Sequence, residues 1–137
     1  MRIEFTVPGV PIAKQRVKFS RQGAFVRSYT PDKTVNYETL VKMEYFNQCK
    51  GQKLNGAIRA HIEFYFPIPK SESKKKQAAM LIGAIRHTKK ADIDNCIKSI
   101  LDGLNKVAFD DDGQIVEIVA AKWYGDVPRA EVILEEI

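Results

Sequence analysis

Cysteine, histidine and long apolar runs are all scarce in this chain, and each shortage argues against a class of protein. There are only two cysteines, Cys49 and Cys96, and two histidines, His61 and His87. Neither cysteine has a second Cys or a His at metal-ligand spacing, which argues against a zinc site. Both fall in helix-like stretches, so two reduced, buried thiols are expected. No apolar run approaches the roughly 20 residues that cross a bilayer, so no membrane partner is expected. The opening Met1-Arg2-Ile3-Glu4-Phe5 lacks the apolar core of a secretory leader, and the cytoplasm is the expected location. No internal repeat or low-complexity tract is present.

What is present suits one globular domain spanning residues 1–137. A chain of this size buries enough surface to fold without disulfides or a structural metal. The net charge of +5 is unevenly spread. Residues 1–91 hold 18 Lys and Arg against 6 Asp and Glu, a surplus of +12. Residues 92–137 hold 4 against 11, a deficit of −7. A basic part suits a polyanion. An acidic part suits a divalent cation or a solvated face, and an enzyme that cuts nucleic acid with a metal needs both.

Alternation over residues 2–7 predicts a strand, broken by Pro8-Gly9-Val10-Pro11. Residues 12–30 interleave Lys14, Arg16, Lys18, Arg21 and Arg27 with Phe19, Phe25 and Tyr29, and Gly23 allows a turn. They read as a long loop or irregular hairpin. Thr30-Pro31-Asp32 predicts a helix start, with Thr30 as cap, Pro31 in the first helical position and Asp32 favouring the dipole. The helix runs to about residue 49, with Val35, Leu40, Val41, Met43, Tyr45 and Phe46 on its apolar side.

Residues 57–66 predict the clearest strand, with Ile58, Ala60, Ile62, Phe64 and Phe66 on one face, stopped by Pro67 and Pro69. Residues 70–90 are basic, with Lys74, Lys75, Lys76, Arg86, Lys89 and Lys90. A short helix is expected from Lys75 to Ile85. A further helix is predicted over 94–107, with Ile93, Ile97, Ile100, Leu101 and Leu104 toward the core. Residues 115–123 and 129–135 read as strands around a turn at Gly125–Pro128, forming an antiparallel final hairpin. The expected class is α+β: a mixed sheet with helices packed mainly on one face.

Two acidic segments can carry chemistry. In an extended approach to the helix, Asp92 and Asp94 point to one side and Ile93 to the core. Paired carboxylates suit a hard cation with a preference for oxygen. Asn95, Lys98 and Asp102 follow on one helical face. The plain alternatives are an N-cap for Asp94 and an i,i+4 ion pair for Lys98 with Asp94 or Asp102. The second segment, Asp110-Asp111-Asp112-Gly113-Gln114, is no EF-hand, because Ala108 and Val119 stand where ligands are required. It can be a solvated turn, or supply a third ligand if strand and helix pack side by side. His61 and His87 have no nucleophile nearby and are expected to be bystanders.

These motifs resemble the RusA family of Holliday-junction resolvases. The matching segments are Ala91-Asp92-Ile93-Asp94-Asn95-Cys96-Ile97-Lys98, Leu101-Asp102-Gly103-Leu104 and Asp111-Asp112-Gly113-Gln114-Ile115-Val116. Pro8-Gly9-Val10-Pro11, Lys14, Arg16, Tyr29-Thr30-Pro31, Thr34 and Tyr37-Glu38 resemble the opening of phage-type members. The resemblance implies a homodimer that cuts four-way junction DNA symmetrically in recombination and repair. It implies Mg²⁺, one or two ions per site with Mn²⁺ able to stand in, held by Asp92, Asp94 and Asp112. Lys98 matches the family's essential lysine, with Asn95 and Asp111 in support. The role of Asp110 stays open.

On this reading Lys14, Arg16, Lys18, Arg21, Arg27, Lys74, Lys75, Lys76, Lys89 and Lys90 contact DNA phosphates. Phe19, Phe25 or Tyr29 either stacks on unpaired bases or packs its own loop. A non-catalytic DNA-binding relative, and a metal nuclease acting on other branched DNA or on RNA, remain as alternatives.

Overall fold

The strand with the strictest alternation holds the centre of the fold. In a computed structural model, which describes residues 1–29 and 31–137 and only the backbone at Gln22, β4 (Ile58–Pro67) buries every second residue from Ile58 to Phe66. Its neighbours are β6 (Arg129–Glu136), antiparallel, and β5 (Ile115–Gly125), parallel. With β1 (Arg2–Pro8) outside β6, the mixed sheet has the order β1-β6-β4-β5.

The helices α1 (Asp32–Cys49) and α3 (Ile93–Leu104) pack on each other and cover the buried face, and the short α2 (Lys74–Leu81) adds Met80 to the same core. The architecture is therefore α+β, as the pattern predicts. No described helix is long and apolar enough to cross a membrane. Both cysteines are free and buried, and burial pushes the Cys96 thiol up to about 11.

Residues 12–30 resolve into the hairpin alternative. β2 (Lys18–Gln22) pairs antiparallel with β3 (Phe25–Tyr29) as a separate two-stranded sheet, turning at Gly23 with φ +61°. Positive φ is what glycine supplies in such a turn. The five residues of β3 are all exposed.

Several expectations give way. The final hairpin does not form, because β4 lies between β5 and β6. Residues 126–128 pass over the end of β4, where Pro67 pairs with Gly125 and Tyr65 with Arg129. The most apolar strand needs a neighbour on each edge, and a central position supplies both. The buried stripe of α1 is Thr34, Tyr37, Val41, Tyr45 and Cys49, and Val35, Met43 and Phe46 face outward. Pro31 is the N-cap rather than the first helical residue. The capping role expected of Thr30 lies outside the described residues. α2 starts one residue early and ends at Leu81. α3 spans 93–104 rather than 94–107, because Asn105 is extended and Lys106 takes φ +69°. Ile93 is exposed rather than core.

The close approach of α1 to α3 depends on Gly103. A Cβ there would fall 2.9 Å from both Cβ and Cγ1 of Val41 and 3.2 Å from the Glu38 carbonyl. Overpacking costs ~1–3 kcal/mol, and the better helix propensity of alanine offsets up to ~1 kcal/mol of that. Gly103→Ala should therefore lower the urea midpoint, with an unchanged m-value and a net loss of about 1 kcal/mol.

Candidate active site

The site begins where α3 begins. Asp92 is the N-cap, with extended dihedrals (φ −60°, ψ 136°), yet its side chain makes no capping hydrogen bond. Its carbonyl accepts from Cys96 N at 3.0 Å. Asp94 lies in the first turn. Both carboxylates are exposed. Neither takes part in an ion pair or side-chain hydrogen bond among the described residues. Both bear on the buried Cys96 thiol, as does the Lys122 ammonium. The pair is thus presented from a helical turn, not from the extended segment the alternation suggested. The usual use of an aspartate at a helix start is left unfilled.

Lys98, one turn further along α3, lies 3.5 Å from Asp102 Oδ1. The i,i+4 pairing weighed as its plain alternative therefore exists, and the ammonium remains largely exposed. The other oxygen of Asp102 accepts from Lys14 Nζ at 2.7 Å, and Lys14 also donates to Glu38 at 2.9 Å. All three members of this Lys14–Glu38–Asp102 cluster are at least three-quarters buried. Burial works to lower the pKa of Lys14, but hydrogen bonds and charge from Asp102 and Glu38 outweigh it and the net shift is upward.

Lys14 is therefore an internal tie rather than the free phosphate contact its basic neighbourhood suggested. The same segment is pinned by Lys14 N donating to the Asn95 carbonyl at 2.8 Å. The buried Ser99 hydroxyl adds a hydrogen bond to the Ile12 carbonyl at 2.6 Å. These ties bring Gln15, Arg16 and Val17 against Asn95 and Lys98, around a shallow cleft. Lys18, Arg21 and Arg27 then extend outward along the hairpin with Phe19 and Phe25, 71% and 78% exposed. No carboxylate occurs between Glu4 and Asp32. Lys89 and Lys90 are exposed immediately before the acidic pair, and Lys74, Lys75 and Lys76 form the exposed first turn of α2.

The second acidic segment is built differently. Asp111 caps a single 3-10 turn (Asp112–Gln114), accepting from Gly113 N at 3.0 Å. Gln114 Oε1 accepts from the backbone N–H groups of Asp110 and Asp111 at 2.9 and 3.1 Å. Its Nε2 donates to the Gly56 carbonyl at 3.0 Å. The D-D-x-Q motif is thus a clasp in which Asp111 and Gln114 fix the turn to the start of β4. Asp112 is left exposed. Asp110 gains a role here: it pairs with Lys53 at 2.7 Å, whose hydrogen bond and charge hold its carboxyl below the ordinary value.

The two segments do not meet within one chain. Ala91 and Lys90 adjoin Phe66, near the C-terminal end of β4. The Asp111 turn is fastened at Gly56, ahead of its N-terminal end. Ile58 to Phe66 spans about 26 Å of strand, and α3 adds a parallel estimate of about 18 Å between its ends. Among the described residues no three His, Cys, Asp or Glu side chains gather around a common metal position. Of the expected ligands, Asp92 and Asp94 come together and Asp112 stands at the opposite end of the sheet.

Comparison with known proteins decides the kinship. The family model for Endodeoxyribonuclease RusA matches residues 8–135. The chain belongs to the RusA endodeoxyribonuclease family. It is also 33% identical over 137 residues to Uncharacterized protein YqaN of Bacillus subtilis (strain 168), covering 98% of this chain and 96% of that protein. Against the RusA motifs, the structure separates residues that hold the scaffold from residues that stand exposed. Asp102, Gly103, Asp111 and Gln114 hold it. Asp92, Asp94, Lys98 and Asp112 present charge to solvent. Sequence reasoning missed the Lys14–Glu38–Asp102 cluster and the clasp by Gln114. The only sequence signal for the cluster was a lysine and a glutamate near the family-like opening motifs, 24 residues apart.

Proposed function

We propose that this protein is a Holliday-junction resolvase: a Mg²⁺-dependent endodeoxyribonuclease that works as a homodimer and cuts four-way junction DNA by paired, symmetric phosphodiester hydrolysis. The observation that carries this reading is the first turn of α3, where Asp92 and Asp94 are exposed and have no side-chain partner among the described residues, with Lys98 one turn away. Mg²⁺ is commonly bound through one or two carboxylates while keeping several waters, so the pair fits it. Bound there, the ion supplies Lewis-acid polarisation of the phosphate and a water of lowered pKa.

The chain's own residues do the rest. Asp92 and Asp94 would hold the ion at the helix start, with Asp112 supplied by a second copy of the chain. Lys98 swings from Asp102 toward the phosphate and stabilises the charge that develops on its oxygens. Asp102 keeps its tie to Lys14, so the swing leaves no buried charge unpaired. Asn95 fixes the Arg16 segment over the cleft, and Arg16, Lys89 and Lys90 hold the phosphates on either side of the cut. The basic hairpin and the lysine turn of α2 extend that grip along the arms. A junction has near two-fold symmetry, which a C2 dimer with two sites matches.

The test is cleavage of a synthetic four-way junction, in competition with flap, duplex and RNA substrates. Symmetric paired nicks in the junction are expected with Mg²⁺, and binding without cleavage in EDTA. Lys98→Ala should cut at least ~10²-fold more slowly while keeping its folded circular-dichroism spectrum. Cleavage that persists in EDTA, or a preference for flap or RNA, would overturn the assignment.

A further inference from the structure

One lysine stands on the core side of the sheet. Lys122 on β5 pairs in register with Phe64, which belongs to the buried face of β4. Paired residues point to the same side, so Lys122 projects toward the helix layer, where it is half-buried. A charge drawn out of water is normally matched by an opposite one. Among the described residues Lys122 has no carboxylate at ion-pair distance, although Lys14, Lys53 and Lys98 all do.

The groups around the ammonium carry no negative charge. Its Nζ donates to the Lys89 carbonyl at 3.1 Å and lies 5.6 Å from the centre of the Phe66 ring. The His87 ring stacks on the same phenyl at 4.0 Å. Burial, then the charge of Lys122, holds the His87 pKa below its ordinary value. Burial also keeps the Cys96 thiol protonated at neutral pH, and the fields of Lys122, Asp92 and Asp94 all reach it. An ammonium has three donors, and the Lys89 carbonyl takes one.

The lysine is also held in place. Arg86 donates to its carbonyl at 3.0 and 2.8 Å and stacks 3.4 Å over Trp123. The loop thus fixes the strand through Arg86, and the strand fixes the loop through Lys122. Lys89 precedes Asp92 by three residues, a stretch of chain that spans at most about 11 Å. A tether alone needs no charge. A neutral donor could hold the Lys89 carbonyl without the cost of desolvating an ammonium. What a fixed, unneutralised ammonium adds is the ability to bind an anion.

We propose that Lys122 is a second phosphate-binding cation of the active site, which contacts the scissile phosphodiester from the sheet side while Lys98 approaches from α3. This rests on the nuclease function proposed above. A phosphate held beside Asp92 and Asp94 supplies the counter-charge that the chain leaves out. Lys122 forms no bond to phosphorus. It stabilises charge that develops on a non-bridging oxygen, and its fixed position means that little reorganisation is needed. Lys98 must first leave Asp102, whereas Lys122 has no carboxylate to leave.

The experiment uses Lys122→Met in the full chain, which keeps the stem over Phe66 and removes the charge. Three quantities are measured: the melting temperature, four-way junction binding in EDTA across a salt series, and Mg²⁺-dependent cleavage at saturating junction. The melting temperature should stay within ~5 °C of wild type or rise, because an unneutralised charge is removed. The salt slope of binding should shrink by about 1. Cleavage should slow on the order of 10²-fold. Lys122→Arg should recover the salt slope, since it restores the charge. An unchanged slope overturns the proposal whatever the rate does, and so does an unchanged rate. A larger fall in melting temperature marks a structural tether and overturns it as well. If the wild-type chain binds junctions but cuts no branched DNA, the nuclease reading fails, while a reduced slope still supports the phosphate contact.

Discussion

Asp94→Asn and Asp112→Asn should each be inactive alone and should recover nicking when co-expressed. The expectation follows from the placement of the two carboxylates at opposite ends of the sheet. If each site takes Asp92 and Asp94 from one chain and Asp112 from the other, both defects in a heterodimer fall in the same site. The second site is then wild type. Random mixing of two chains in a C2 dimer makes about half the dimers heterodimers, with about a quarter of wild-type sites restored.

A single intact site makes one cut, so the product is a nicked junction rather than resolved duplexes. That signature separates shared sites from self-contained ones. Were each site built from one chain, every site in the mixture would carry a defect and no nicks would appear. The single variants should still bind the junction, since both carboxylates are exposed and neither holds another residue in place.

Lys14→Met should be the most destabilising single change in the basic segment. Glu38 and Asp102 keep only 15% and 20% of their side-chain surface exposed. Without the lysine, two mostly buried carboxylates remain together with only the more distant Lys98 to offset them. Breaking such a pair costs about 3–5 kcal/mol in a fully buried setting, and some solvent access places this one near the lower figure. The melting temperature should fall on the order of 10 °C.

The pH dependence has a definite sign. The Lys14 pKa is raised in the folded state, so its contribution is fully present below the ordinary value of 10.5. It is lost as pH rises through the higher folded value. The gap between wild type and Lys14→Met should therefore hold at neutral pH and close in strong alkali. A purely DNA-contacting lysine would behave otherwise. Its loss would leave the melting temperature unchanged and reduce the salt slope of junction binding by about 1.

The pattern-bearing parts of this protein were legible in the chain itself. Period-two alternation is a local property, so the core face of β4 and the strands β1, β5 and β6 could be read from residue order. The stripe of Ile97, Ile100 and Leu104 likewise located α3. The D-x-D-N-x-x-K and D-D-x-Q motifs marked the acids, because residue types and their spacing are read directly from the chain. Motif position could not say which of those acids are scaffold. Asp111 and Asp112 are adjacent, yet one caps a turn and the other is free, and only the geometry of that turn separates them.

Tertiary structure decided what depends on partners distant in sequence. Lys14 and Asp102 are 88 residues apart, and no local rule links them. A run of basic residues reads as a DNA surface until folding buries one of its members. The order β1-β6-β4-β5 was likewise out of reach, because a short connection suits a hairpin as well as a step across the end of a strand. The acidic residues met first as two runs separated by 15 positions prove to lie at the two ends of one sheet. Residue order set their chemistry, and the direction of α3 and β4 set the distance between them.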